Sequence, residues 1–303
     1  MSPSPERSAI PSASGVANRI AAASTLGVAL YSAGVFLFAL NDALGKWLVA
    51  DYGVGQLMLL RAIGAALVLV PMLKTLHVGL AGADEPRLYV LRVLFMAADT
   101  FAFFTATRFM PLADVMTFYM AAPLIVAALS APTLGETVER RRWTAVVAGF
   151  AGVVIALKPT PQLFSWAAPL ALLGATMFAL GQILTRKLRR VHWRQLTAQQ
   201  YTGAGLIGAA TAPFAWVAPS AFDLGLMFVA GVLSVACFMF LARALALARA
   251  AVLAPLQYSA IVWASIMGWI VWRDAPDLPI IAGNAIIIAS GLIAAAAGRA
   301  ASD

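Results

Sequence analysis

Charge is what this sequence has least of. Only 11% of its 303 residues are Asp, Glu, Lys or Arg, against about 25% in an ordinary soluble domain. So few charges cannot cover the surface of a chain that is 62% apolar with a mean hydropathy of +0.87. The remainder would form exposed apolar patches, which soluble monomers avoid. A lone cysteine, Cys237, excludes an intramolecular disulfide and a cysteine-based metal framework. The two histidines, His77 and His192, both fall in expected loops, so no metal or cofactor is expected. There is no His-Glu-x-x-His, no Gly-x-Ser-x-Gly and no phosphate-cradling glycine loop. These absences argue against an enzyme.

What is present is long apolar runs. A hydrocarbon core of about 30 Å needs about 20 helical residues, and ten such segments can be drawn: 27–49, 54–73, 88–109, 111–133, 143–157, 166–185, 196–217, 222–246, 250–272 and 279–298. Helices are expected because a backbone in lipid must satisfy its own hydrogen bonds. Barrel strands would show ten-residue alternation instead. Residues 1–25, rich in Ser, Pro and Ala, read as a disordered cytoplasmic tail.

The net charge of +8 raises nucleic acid as a partner. The basic residues, however, sit in short clusters between apolar runs, such as Arg140–Arg142 and Arg186, Lys187, Arg189 and Arg190. That is the pattern of loops beside anionic headgroups, so the bilayer is the expected partner and nucleic acid is not. With the N-terminus inside, sixteen of the 21 Lys and Arg residues fall on the cytoplasmic side; Lys46, Arg61, Arg108, Lys158 and Arg273 fall outside. Both termini are then cytoplasmic and the span count is even.

The chain also compares with itself. Phe38–Leu48 in span 1 matches Phe178–Leu188 in span 6 at five identical positions, with Lys46 opposite Arg186. Leu134-Gly135-Glu136, at the end of span 4, lines up with Trp272-Arg273-Asp274, at the end of span 9. Repeats of five spans must be inverted, because an odd unit makes the second copy enter from the opposite side. Inverted repeats mark alternating-access transporters with a midplane site. A passive channel is disfavoured, since no filter motif is visible.

Several residues in order point to a family: Arg61 opening span 2, Ala106–Ala113 joining spans 3 and 4, Pro123 within span 4, Leu134-Gly135-Glu136 at its end, a glycine-bearing span 5, and Ala254–Tyr258 in span 9. Across about 26–298 the chain resembles the drug/metabolite transporter superfamily, in particular its EamA-type members. The resemblance implies an all-α integral membrane protein of ten transmembrane helices, built as two five-helix inverted repeats (26–158 and 159–299) around a central cavity. Spans 1, 3, 4, 6, 8 and 9 would form the cavity walls. It also implies export of amino acids and related small metabolites across the bacterial inner membrane; the chain itself is expected to be a monomer or homodimer. Asp274 departs from the Gly-Glu pair often found at its position.

Within that frame the candidate substrate-binding residues are Asp99, Asn41, Asp42, Phe103, Tyr119, Gln182, Tyr258 and Trp263. A charge at the bilayer centre costs about 2.5–3.5 kcal/mol on insertion scales, so its presence suggests function. Asp99, at the middle of span 3 with Phe103 and Thr107 on its face, reads either as a carboxylate for a substrate ammonium or a proton, or as a packed polar residue. Asp42 could pair with Lys46 one turn on. Arg61 could snorkel to the outer headgroups or pair with Asp42. The deep aromatics could stack on an apolar or aromatic substrate side chain. Pro123 and Pro255 are candidate hinges, and small residues in spans 5 and 10, among them Gly152 and Gly283, suit close helix packing. Alternatives to amino-acid export are carriage of a nucleoside-like or cationic compound, an intramembrane enzyme, and a scaffold without flux.

Overall fold

The computed structural model describes residues 13–74, 85–122, 166–188, 190–248 and 259–300, with isolated positions at 125–126, 128–129, 144, 147–149, 151–152, 154–155, 253 and 256–257. Tyr258, Pro123 and Pro255 lie outside the described residues, as does Glu136. The elements are α1 (Ala13–Asp51), α2 (Val54–Lys74), α3 (Pro86–Thr107), α4 (Leu112–Tyr119), α5 (Ala167–Lys187), α6 (Trp193–Thr211), α7 (Ala221–Leu247), α8 (Ser259–Trp272) and α9 (Leu278–Ala300). No strand occurs among the described residues. α1 starts at Ala13, well before the expected first span, because its Ala-rich leading segment has strong helix propensity.

Among the described residues, five helices are long and apolar enough to cross a membrane: Thr25–Asp51, Val54–Lys74, Pro86–Thr107, Ala167–Lys187 and Ala221–Leu247. α8 and Leu278–Ser290 are shorter apolar helices. Large apolar side chains such as Leu67, Leu94, Leu206, Phe222 and Ile270 are exposed on the outside. That surface suits lipid and would be a liability in water.

The helices close into a ring. Successive neighbours are α1, α7, α2, α6, α3, α5, α4, α8 and α1 again, so helices before and after residue 160 alternate all the way round. α9 lies against α4, and Gly152 faces the Gly283 carbonyl and Ile286 of α9, where a Cβ would meet that carbonyl at 2.9 Å. Several joints are backbone-close. Gly64 abuts the Phe228 backbone, Gly231 abuts the Arg61 carbonyl, and Gly208 abuts the Leu59 nitrogen. Small residues allow such approach, and in lipid this packing replaces the hydrophobic drive available in water.

Contacts set the helix directions. Gly27 meets Ala248, Gly34 meets Leu241, and Tyr52 bonds Asp223, so α1 and α7 run antiparallel. Arg92 meets Thr185 and Ala102 meets Gly174, so α3 and α5 are antiparallel too. Phe109, in the turn after α3, stacks edge-on against Trp166 at 4.5 Å. α4 and α5 therefore start at the same end of the ring.

One end is fastened by polar contacts. Ser220 caps α7 by accepting from the Asp223 amide at 3.0 Å. Tyr52 donates to Asp223 at 2.7 Å, which raises its phenol above the usual range. Gln56 donates to the Val217 carbonyl at 2.7 Å and accepts from the Val217 amide at 3.0 Å.

Candidate functional site

The ring order identifies its interior. α1, α2, α3 and α4 are never neighbours around the circumference, so close contacts among them cross the middle. The buried polar residues make such crossings. Asn41, Asp42, Arg61 and Asp99 are 2%, 5%, 6% and 8% exposed.

Asp99 on α3 accepts a 2.6 Å hydrogen bond from the Tyr119 hydroxyl on α4. Tyr119 also packs edge-on to Phe103 at 5.1 Å and lies 6.2 Å from the Phe178 ring of α5. Gly174 makes room for the hydroxyl, since a Cβ there would overlap it. A charge-assisted bond of this kind is worth about 1.5–3 kcal/mol. The carboxyl group is thus held against an aromatic wall.

A second group centres on Arg61. Its Nη2 donates to Ser234 Oγ on α7 at 3.0 Å, and the guanidinium lies over the Phe104 ring of α3 at 4.7 Å. With its amide oriented to satisfy both ends, Asn41 accepts from Arg61 Nη2 at 2.8 Å and donates to the Ala230 carbonyl at 2.9 Å. Phe104 is pressed against Gly45 of α1, where no Cβ fits. Asp42 lies within electrostatic reach of both Arg61 and Asp99. Among the described residues, Asp42 Oδ2 and Arg61 Nε have no hydrogen-bond partner.

Two expectations for the cations are therefore corrected. Arg61 does not snorkel to the headgroups; Ser234, Asn41 and Phe104 hold it inside the ring, with no direct hydrogen bond to Asp42. Lys46 does not pair with Asp42. It turns to Asp274 at 3.4 Å and to the Trp272 ring at 4.6 Å, both supplied by the end of α8.

The remaining candidates are dispersed. Trp263 is half-buried and stacks edge-on with Phe36 of α1 at 4.9 Å, apart from the Asp99–Tyr119 pair. Gln182 is half-buried on α5 and has no side-chain hydrogen bond to the Asp99 or Arg61 groups among the described residues. Sequence reasoning missed Arg92 and Ser234. Arg92, 4% exposed, donates to Thr185 Oγ1 at 2.7 Å and to the Leu196 carbonyl at 3.0 Å. Its signal is a charge inside the apolar run Tyr89–Phe95. No group of His, Cys, Asp and Glu suited to a metal occurs among the described residues.

Comparison with known proteins places this arrangement. The chain matches the EamA-like transporter family twice, over residues 25–158 and 165–295. An S-adenosylmethionine uptake transporter of Rickettsia prowazekii is 25% identical over 256 residues, covering 84% of this chain and 86% of that protein. A pseudopaline exporter of Pseudomonas aeruginosa is 27% identical over 267 residues, covering 86% and 93%. A riboflavin transporter of Rhizobium johnstonii is 29% identical over 119 residues, 39% of each chain. A protein of known crystal structure superposes with a TM-score of 0.64 at 18% identity, over 93% of this chain and 99% of that one, which indicates a shared fold. The chain is thus a multi-pass membrane protein with a small molecule as its substrate, and it belongs to the EamA-like transporter family of the drug/metabolite transporter superfamily.

Proposed function

We propose that this protein is a secondary transporter of amino acids and related small metabolites, exporting them across the bacterial inner membrane by alternating access. Its ten spans form two inverted five-helix repeats, 26–158 and 159–299, and both termini are cytoplasmic. The ring supports this reading. Exchanging each span with the one five places on turns α1·α7 into α5·α3 and α2·α7 into α6·α3, and leaves α2·α6 and α4·α8 unchanged. A twofold axis in the membrane plane produces that exchange. Because α4 and α5 start at the same end, the chain between them needs a crossing, and a fifth span at 143–157 supplies it.

The observation that carries the function is the Asp99–Tyr119 pair inside the ring, beside Asp42 and the rings of Phe103 and Phe178. Carboxylates on an aromatic wall suit a substrate with an ammonium group and an apolar or aromatic body. A second reading, uptake of S-adenosylmethionine, is favoured by the Rickettsia relative. That solute is itself an amino acid bearing a further cation and an aromatic base, so the same residues would serve it.

Proteoliposomes test both readings. Vesicles loaded with unlabelled phenylalanine or S-adenosylmethionine should accumulate the labelled compound by counterflow. Flux with neither compound, nor with a pooled mixture of amino acids, would remove the proposal. Opposite pH gradients applied to the same vesicles report the direction of driven flux.

A further inference from the structure

We propose that Arg61 is the substrate's carboxylate reader, forming with Asp42 a two-pole socket that selects zwitterions over simple cations. This deepens the proposed function and rests on it.

A membrane helix that needed only packing at position 61 would use leucine, and its neighbours Leu59 and Leu60 show that leucine is available. A guanidinium is retained here although it is only 6% exposed, and a charge inside a membrane protein is costly to keep. Its position is over-determined. Ser234 and Asn41 hold Nη2 from α7 and α1, and Phe104 supports the guanidinium from α3. Gly45 and Gly231 permit this by bringing α1 against Phe104 and α7 against the Arg61 backbone.

The partners that fix Arg61 are neutral, so its charge is not cancelled by a direct bond. A guanidinium has five N–H donors. Nε has no partner among the described residues, and neither has Asp42 Oδ2. A buried guanidinium donor and a buried carboxyl acceptor thus stand on two helices that flank α7, within electrostatic reach and not bonded to each other. Orphaned groups of this kind are costly. An α-amino acid bears its two charges only two bonds apart, so reading both needs a positive and a negative pole at close quarters. Asp42 supplies the negative pole and Arg61 the cation fixed beside it, while Asp99 with Tyr119 stands next to Asp42 at the aromatic wall. A planar fork also suits a carboxylate better than an ammonium would.

The test uses four probes with the same phenyl body as competitors in phenylalanine counterflow: phenylalanine (both charges), phenylalaninamide and 2-phenylethylamine (cation only), and 3-phenylpropionate (anion only). The wild-type protein should prefer phenylalanine over both cations by about tenfold or more. Arg61→Gln should bring that ratio close to one, and Arg61→Lys should restore part of it. A folded Arg61→Gln protein with the wild-type ratio overturns the proposal while leaving amino-acid transport standing. Wild-type preference for either cation over phenylalanine also overturns it. Absence of counterflow with phenylalanine and with a pooled mixture of amino acids removes the amino-acid reading and this inference together. Size exclusion and thermal unfolding check that Arg61→Gln is folded. If it is not, Asn41→Ala, which keeps the charge and loosens its tether, should lower the same ratio, and an unchanged ratio counts against the reader.

Discussion

Lys46 and Asp274 form an ion pair across 228 positions of sequence, at 3.4 Å, joining the last turns of α1 to the chain leaving α8. The geometry is built locally. The Arg273 amide bonds back to the Trp269 carbonyl at 3.1 Å and the Asp274 amide to the Gly268 carbonyl at 3.2 Å. Arg273 turns the chain there through a left-handed conformation, φ 62°. This turn places Trp272 and Asp274 together around the ammonium. In the alternating ring, the pair ties a helix of the first half to one of the second.

The pair should therefore act on conformation more than on stability. Lys46 is 11% exposed and Asp274 36%, and pairs with that much solvent contribute about 0–1 kcal/mol. Lys46→Met and Asp274→Asn should each lower the melting temperature only slightly. Each should nevertheless change the rate of counterflow, and the double variant should match the singles. Fully additive effects on rate would show that the two residues act independently.

Asp99→Asn should cut transport at least tenfold while membrane insertion and elution volume stay as in the wild type. Tyr119→Phe removes one bond to the same carboxylate and should weaken substrate binding by about 1.5–3 kcal/mol. Counterflow at graded substrate concentrations separates the two. Unchanged flux in Asp99→Asn would make it a packing residue.

Two glycines of α7 should respond oppositely to alanine. Gly231 faces the Arg61 carbonyl and the Ala65 amide, and a Cβ there has no space without moving α2. Gly231→Ala should destabilise by about 1–3 kcal/mol and also weaken transport, because the shift drags Arg61. Gly225 has nothing within 4 Å, so Gly225→Ala should be neutral or stabilise by about 0.5–1 kcal/mol. Thermal unfolding in one detergent checks both.

The inverted repeat predicts that Lys46 and Arg186 lie on opposite faces of the membrane. Cysteine placed at each should react with an impermeant maleimide from opposite sides. Cys237 is the only native cysteine and is fully buried, so its background reactivity should be low. Labelling of both positions from one side would defeat the inversion.

Much of the architecture is legible in the residues themselves. Asp99, Phe103 and Thr107 share a face because helical spacing requires it, and all three are buried. Low charge and long apolar runs make a helical membrane protein the economical answer, and the Phe38 and Phe178 segments mark an internal repeat. The cations are where sequence reasoning fails. Arg61 and Lys46 lie near the predicted ends of spans, where position alone favours headgroups and local partners. Their actual partners, Ser234 and Asp274, come from helices some two hundred residues away, and no periodicity within one helix reports such a neighbour.

The sequence by itself determined the solvent, the helical class, the family and the buried carboxylates, because these follow from local hydropathy and short-range order. Only the tertiary structure decided which pole each charge faces. Ring closure through alternating halves brings α1, α2, α3 and α4 together across an interior that none of them delimits alone. The Lys46–Asp274 bond at the end of α8 is one product of that closure, and the Arg61 group inside the ring is the other.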